Sequence, residues 1–208
     1  MPRRRAEAAP PRDSKQRLIA AALDLAASQG WRHTSFPEIA AAAKVPLSEA
    51  HRLFRSKTSI LAAFRRDLDL AVVAGSKLGA EESAHDRLFD VLMRRFEALK
   101  PRRQAVAAIL HDSLGDPAAL KLVPGVMRSM RWMHEAAGLP AAGRRGQIAC
   151  KISALIYFSV YPAFLRDESE DLGSTMALLD RRLNQVGGLI RSFAPRRGRR
   201  AERSGDAS

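Results

Sequence analysis

Two groups of residues have types and spacing that could do chemistry: a few histidines beside acids, and a crowd of cations near one end of the chain. His111-Asp112 and His134-Glu135 are adjacent pairs, and neighbours on a helix project about 100° apart, so neither is a ready acid/base couple or metal set. No HExxH, P-loop or GxSxG pattern occurs in the sequence. The single cysteine, Cys150, leaves no partner for an intrachain disulfide or a multi-cysteine zinc site and suits a reducing compartment. The expectation is a protein that is not an enzyme, with no catalytic residue, cofactor or bound metal. The cations tell more. The 208-residue chain has a formal charge of +13. Residues 1–66 hold 13 Lys/Arg against 5 Asp/Glu, residues 67–194 hold 17 against 15, and residues 195–208 hold 5 against 2. A basic excess confined largely to one end suits a polyanion-facing module on a body with another task.

The elements that must position these groups are helices. Helical periodicity dominates, period-2 alternation bounded by hairpin turns is missing, and 46% hydrophobic residues supply a real core, so the fold class is all-α. A first helix is expected from Ser14 or Lys15, with Leu18, Ala22, Leu25 and Ala26 on one face, ending at Gly30 in a left-handed cap. Ser35-Phe36-Pro37-Glu38 has the form of a capping box with a tolerated first-turn proline, and opens a second helix ending near Ala43. Lys44-Val45-Pro46 turns into a third helix over Leu47 to Phe54. Ser56 caps a fourth from Lys57, in which Ile60, Leu61, Phe64, Leu68 and Val72 keep helical spacing. Beyond it, Pro and Gly mark off segments near 84–100, 103–114, 118–137, 146–165 and 170–193. The expected organisation is a basic arm at 1–13 containing Arg3, Arg4 and Arg5, a helix-turn-helix module at 14–66, a helical body at 67–194 and a basic tail at 195–208 containing Arg196, Arg197, Arg199 and Arg200.

Two short helices joined by a three-residue turn, preceded by a stabilising helix and rich in cations, meet the needs of a DNA reader. The stretch Gly30-Trp31 … Thr34-Ser35-Phe36-Pro37-Glu38-Ile39-Ala40 … Val45 … Phe54-Arg55-Ser56-Lys57 resembles the TetR-family DNA-binding motif. The resemblance implies that Pro46, Leu47, Ser48 and on to Arg52 enter the major groove of double-stranded DNA. It also implies that His51 and Lys57 hold phosphates and that Thr34 and Ser35 touch the backbone. Three positions depart from the family pattern. Lys44 stands where glycine is usual and must accept a turn geometry that glycine finds easy, though it could itself reach a phosphate. Pro46 stands for serine or threonine, and His51 for tyrosine. Glu49 is unwelcome near phosphates unless it accepts a hydrogen bond from a cytosine amine.

The body carries a second resemblance. Asp86-Arg87-Leu88-Phe89-Asp90, Arg128-Ser129-Met130-Arg131-Trp132 and Asp167-Glu168-Ser169-Glu170-Asp171 … Thr175 … Leu179-Asp180-Arg181-Arg182-Leu183 look like the lipid-binding accessory proteins of ubiquinone biosynthesis, themselves TetR-like in fold. The likeness lapses over Gly138 to Lys151. From the residues alone, Phe89, Met93 and Phe96 share a face, and Met127, Met130, Trp132 and Met133 cluster on another segment. They suit either a pliable pocket for an unknown apolar small molecule or lipid, or plain core. Leu172, Met176, Leu179, Leu183, Val186 and Ile190 recur at spacings of four and three, with Gly187 and Gly188 allowing close backbone approach. With Ile148, Ile152, Leu155, Ile156 and Val160 they could form half of a four-helix homodimer interface, or pack within their own domain. No apolar run was expected to reach the roughly 20 residues that span a bilayer, and the N-terminus has no signal-peptide core, so a cytoplasmic protein without stable membrane insertion is expected. Together these readings imply a ligand-responsive, homodimeric DNA-binding regulator, a repressor acting at a palindromic operator. The alternative is a lipid- or quinone-binding accessory protein that keeps the fold without reading DNA.

Overall fold

The computed structural model describes residues 11–76, 82–113 and 123–187. Among them run α1 (Pro11–Gln29), α2 (Phe36–Ala42), α3 (Leu47–Leu53), α4 (Lys57–Gly75), α5 (Ala84–Leu99), a 3-10 turn (Lys100–Arg102), α6 (Arg103–Ser113), α7 (Val123–Ala136), α8 (Gly143–Arg166) and α9 (Gly173–Gln185), with no strand. The expected basic arm through Ala9 and Pro10, the basic tail, Gly188 and Ile190 lie outside the described residues.

Local chemistry sets the first turns. Gly30 stops α1 at φ +87, with its N–H donating to Ala26 O at 3.1 Å. The α2 capping box is complete: Ser35 Oγ accepts the Glu38 N–H at 3.3 Å, and the Ser35 N–H donates to Glu38 Oε2 at 2.8 Å. Ser56 and Ser59 cap each other's backbone in the same way at the start of α4. α1 begins earlier than Ser14, at Pro11, because proline is at home in a first helical turn.

Two apolar cores result. Leu18, Ala22 and Ala26 of α1 meet Ile39 and Ala40 of α2, Ala50 of α3, Ile60 and Leu61 of α4, and Ala105 of α6. The second core gathers Leu88, Leu92 and Phe96 of α5, Met130 and Met133 of α7, Tyr157, Val160 and Phe164 of α8, and Leu179 and Leu183 of α9. Burying each such Leu, Ile, Val, Phe or Met side chain contributes about 1.5–3 kcal/mol, and each alanine methyl about 0.8 kcal/mol. Phe64 of α4 packs against both cores.

The structure corrects two readings of the body. By length and mean hydropathy (1.6) α8 could cross a bilayer, against the expectation that no segment could. Its Ala149, Cys150, Ala154, Tyr157, Val160 and Phe164 are nevertheless buried in this fold, and α8 packs against α7 and α9. The α9 periodicity marks mainly an intrachain core face. Leu172, Leu179 and Leu183 are buried in the chain's own core, as is Ile156 of α8, while Ile152 and Val186 pack against it. Among the described residues, nothing lies within 4 Å of where a Gly187 side chain would begin. The exposed apolar members of the expected seam are Ile148, Leu155 and Met176.

The Asp167-to-Thr175 motif has a structural task. The buried Asp167 carboxylate accepts from Thr175 N and Oγ1, both at 2.7 Å, from Ser169 N at 3.2 Å and from the Ser169 hydroxyl, tying α9's first turn to the end of α8. Burial alone would push its pKa up, but these hydrogen bonds outweigh it and hold Asp167 at about 2. Its charged form therefore stabilises the fold fully above its ordinary pKa of 3.8, and that contribution is lost as pH falls through about 2. Asp167→Asn is expected to lower unfolding free energy by about 2 kcal/mol near neutrality. In urea titrations, the gap from wild type should narrow as pH drops from about 4 toward 2.

Candidate nucleic-acid interface and ligand cavity

The turn between α2 and α3 holds Lys44 at φ +53, the left-handed region that the missing glycine would occupy without strain. Lys44 N donates to Ala41 O at 3.0 Å and Val45 N to Ala40 O at 3.0 Å, so the conformation is fixed by the turn, and the lysine side chain is left exposed. Pro46 serves as the N-cap of α3 with no side-chain cap. Seven residues make α3 about 10 Å long, short enough to lie in a major groove about 12 Å wide. Its outward face presents Leu47, Ser48, His51 and Arg52, all exposed, with Lys44 and Pro46 at its start. His51 stacks on Phe36 of α2 with ring centroids 4.6 Å apart, which fixes the imidazole against the partner helix. Glu49 is only part-exposed.

The remaining expected DNA contacts are placed differently. Thr34 is buried, and its hydroxyl donates to Gly30 O at 2.8 Å, so it shapes the loop rather than offering a donor outward. Lys57 Nζ donates to Trp31 O and Thr34 O, both at 2.8 Å, and sits 4.8 Å from the Trp31 ring centroid. Burial pushes its pKa down, opposed by the charges of Asp112 and Glu38. With two of its protons committed, Lys57 acts first as a staple of the α1–α2 loop. Ser35 accepts the Glu38 N–H and keeps its own hydroxyl proton to donate. Around Ser35 and Lys57 lies a notch of about 510 Å³ that also includes His33 and two cations, Arg32 and Arg55; the sequence reading selected none of the three. Their signal was available: each is a basic residue flanking a cap.

The body holds an open cavity of about 780 Å³ lined by residues of α4, α5, α6, α7 and α8. Its walls differ from those expected. Met127 and Met130 line it, whereas Met93, Phe96 and Met133 lie in the buried core, and Phe89 and Trp132 pack on that core without lining it. Leu61, Phe64, Val106, Ile109, Leu110, Leu155 and Phe158 supply most of the apolar wall, and Arg65, Arg95, Lys151, Tyr157 and Tyr161 its polar part. The missed signal was Arg95: it stands three residues from Leu92 and four from Val91 and Leu99, at core spacing on an apolar helix.

α6 joins the two sites. Val106, Ile109 and Leu110 line the cavity, while Ala105 is part of the head core and Ile109 packs against it. Past them, Asp112 Oδ2 accepts the Arg32 N–H at 2.8 Å, and the Arg32 guanidinium donates to Asp112 O at 3.2 Å. Arg102 of the 3-10 turn pairs with Asp24 of α1 at 2.6 Å.

The histidine pairs form no catalytic group here. His134 is buried against Ser153 Oγ at 2.9 Å, and burial pushes its pKa down. His111 does reach its neighbour, with Nδ1 3.3 Å from Asp112 Oδ1, which the helix geometry had not suggested, but Asp112 already serves the Arg32 amide. Among the described residues there is no cluster of three metal-ligating side chains.

A helix-turn-helix head on a helical body with an internal cavity is thus the class of protein that these elements define. Residues 18–64 match the sequence model for bacterial regulatory proteins of the tetR family. In fold the chain is similar to the TetR transcriptional regulator of Nitrosomonas europaea (24% identity, TM-score 0.67, covering 84% of this chain and 98% of that one). It is similar also to a TetR transcriptional regulator of Rhodococcus sp. RHA1 (24%, TM-score 0.62, 84% and 96%). A second transcriptional regulator of that organism follows (21%, TM-score 0.54, 84% and 97%). A search of the curated proteins finds no match. The head thus matches the tetR-family model over residues 18–64, and the fold of the chain is similar to the all-α fold of these TetR regulators. The likeness to ubiquinone accessory proteins gains no support from these comparisons.

Lys44→Gly should relieve the left-handed strain at no cost in contacts. We expect about 1 kcal/mol of added stability, read as a higher urea midpoint at unchanged m-value. A destabilised variant would mean that the lysine side chain supports the turn.

Proposed function

We propose that this protein is a homodimeric, ligand-responsive transcriptional repressor working in the cytoplasm, with residues 14–66 reading operator DNA and residues 67–194 dimerising and taking an apolar effector. The observation that carries this reading is the face of α3. Lys44 and Arg52 are exposed, and among the described residues neither side chain makes a hydrogen bond or ion pair, in a motif that matches the tetR family. Cations held uncommitted beside a groove-sized helix are suited to phosphates and base edges. Ser48, His51 and the first turn of α3 would face the bases. Arg32, Arg55 and the Ser35 hydroxyl would hold phosphate at the notch, with the third proton of Lys57.

Dimerisation is supported by large apolar side chains that α8 and α9 leave in solvent: Leu155 is 72% exposed, Ile148 50%, Phe158 40% and Met176 39%. A second copy of the chain on this face would cover them and set two α3 helices about one DNA turn, ~34 Å, apart, which calls for a palindromic site. The switch rests on α4 and α6, each of which touches both the cavity and the head core. An effector shifts the equilibrium only if it binds the non-DNA-binding arrangement more tightly.

Selection of bound duplexes from a random-sequence pool at near-physiological salt tests the reading. Wild type should enrich a palindrome, a Lys44→Gly, Arg52→Ala variant should enrich nothing, and Leu155→Glu should recover at most half-sites. Salt-sensitive binding with no enriched sequence would remove the DNA-reading role. A palindrome still enriched by Leu155→Glu would remove the proposed dimer face.

A further inference from the structure

The cavity is apolar over most of its wall but is not electrically neutral. Arg65, Arg95 and Lys151 line it, and no Asp or Glu is among the described lining residues. Lys151, on α8, is exposed. Arg95 is only 5% exposed; one amino group pairs with the buried Asp69, whose other oxygen accepts from Ser129 Oγ at 2.5 Å. That arrangement consumes Asp69 and leaves Arg95 Nε buried without a partner. The Tyr157 hydroxyl, on a residue 2% exposed, likewise lacks a hydrogen bond of good geometry; its polar neighbours are Tyr161 and Arg95 itself, whose Cζ lies 5.7 Å from the Tyr157 ring centroid. Arg65 is half-buried and, among the described residues, makes no hydrogen bond or ion pair. Burial pushes its pKa down, and the like charges of Arg95 and Arg128 add to that.

Buried donors without acceptors, and a cation among cations, cost stability unless something answers them. We propose that the cavity takes a hydrophobic monoanion, a carboxylic acid with an apolar or planar aromatic body, whose carboxylate is held by Arg65, the free edge of Arg95 and the Tyr157 hydroxyl. This assignment rests on the reading of the cavity as the effector site and names the class of effector. The body of the ligand would lie along Phe64 of α4 and Val106, Ile109 and Leu110 of α6, against the two helices that also pack on the head. A fork of guanidinium donors recognises the flat carboxylate, and an alcohol of equal size forfeits the charge-assisted hydrogen bonds. Asp69 does not line the cavity, and its charge is offset by that of Arg95, so Arg95 offers the ligand hydrogen-bond donors while Arg65 and Lys151 supply the uncompensated charge.

Calorimetric titration of the full chain, without DNA, tests the assignment. Dodecanoate and 2-naphthoate are compared, each with the uncharged alcohol of the same skeleton. The acids should bind at least about tenfold more tightly than the alcohols. Arg65→Gln, on a half-buried side chain, and Tyr157→Phe, which keeps the ring, should fold normally by circular dichroism and lose most of that preference while still binding the alcohols. Acids and alcohols binding alike, neither binding, or an acid preference unchanged in Arg65→Gln would each overturn the proposal. Because no DNA is present, a failed operator selection leaves this result standing, and a failed acid titration leaves the DNA-reading role standing.

Discussion

The carboxylate of Asp112 accepts the backbone N–H of Arg32, and on this contact the relation between the two halves of the molecule turns. It fastens the end of α6 to the loop between α1 and α2, the loop that Lys57 staples from the other side through Trp31 O and Thr34 O. One turn earlier on α6, Ile109 packs on the head core and lines the cavity. A side chain with two neighbourhoods cannot move in one without being felt in the other, because packed interiors are dense and transmit displacement. Phe64 of α4 stands in the same position between the cores. Cavity and head core thus share side chains of α4 and α6.

The local half of this was legible from the residues. Gly30, the Ser35–Glu38 box, the Ser56 cap and the left-handed demand on Lys44 are decided within a few residues, so their types state the answer directly. Helix existence in the body followed from periodicity for the same reason. What a periodic face packs against is not written in its period. Leu172, Leu179 and Leu183 repeat as a dimer seam would, yet they are buried in their own subunit, and the exposed apolar residues of α8 and α9 are Ile148, Leu155, Phe158 and Met176. The cavity was less legible still. Its walls come from helices far apart in sequence, so methionine clustering picked out Met127 and Met130 but also drew in Met93 and Met133, which are core. Arg95 was the readable exception, a charge placed at core spacing. Lys57 shows the limit of transferring roles by motif: the residue is present, but its protons serve the loop.

Some of the strained and unsatisfied groups sit at the two sites. A lysine in a left-handed turn leads into the reading helix, and orphaned donors at Arg95 and Tyr157 line the cavity. The second core around them is otherwise well closed, with Phe96 stacked on Tyr157 at 4.4 Å and Asp167 fully engaged in capping α9. Such departures also occur elsewhere: Leu172, at the start of α9, has φ +57, and His85 Nε2, Arg103 Nε and His134 Nδ1 are buried without hydrogen-bond partners.

The central claim is that occupancy of the cavity moves the heads, and the direct measurement is a spin-label distance between the two α3 helices of the dimer. A label at Ser48→Cys is exposed, and the native Cys150 is buried. The account predicts a separation compatible with one DNA turn in the free protein and a shift of several ångström when dodecanoate or 2-naphthoate fills the cavity. An unchanged distance distribution in a protein that calorimetry shows to be saturated with acid would contradict it.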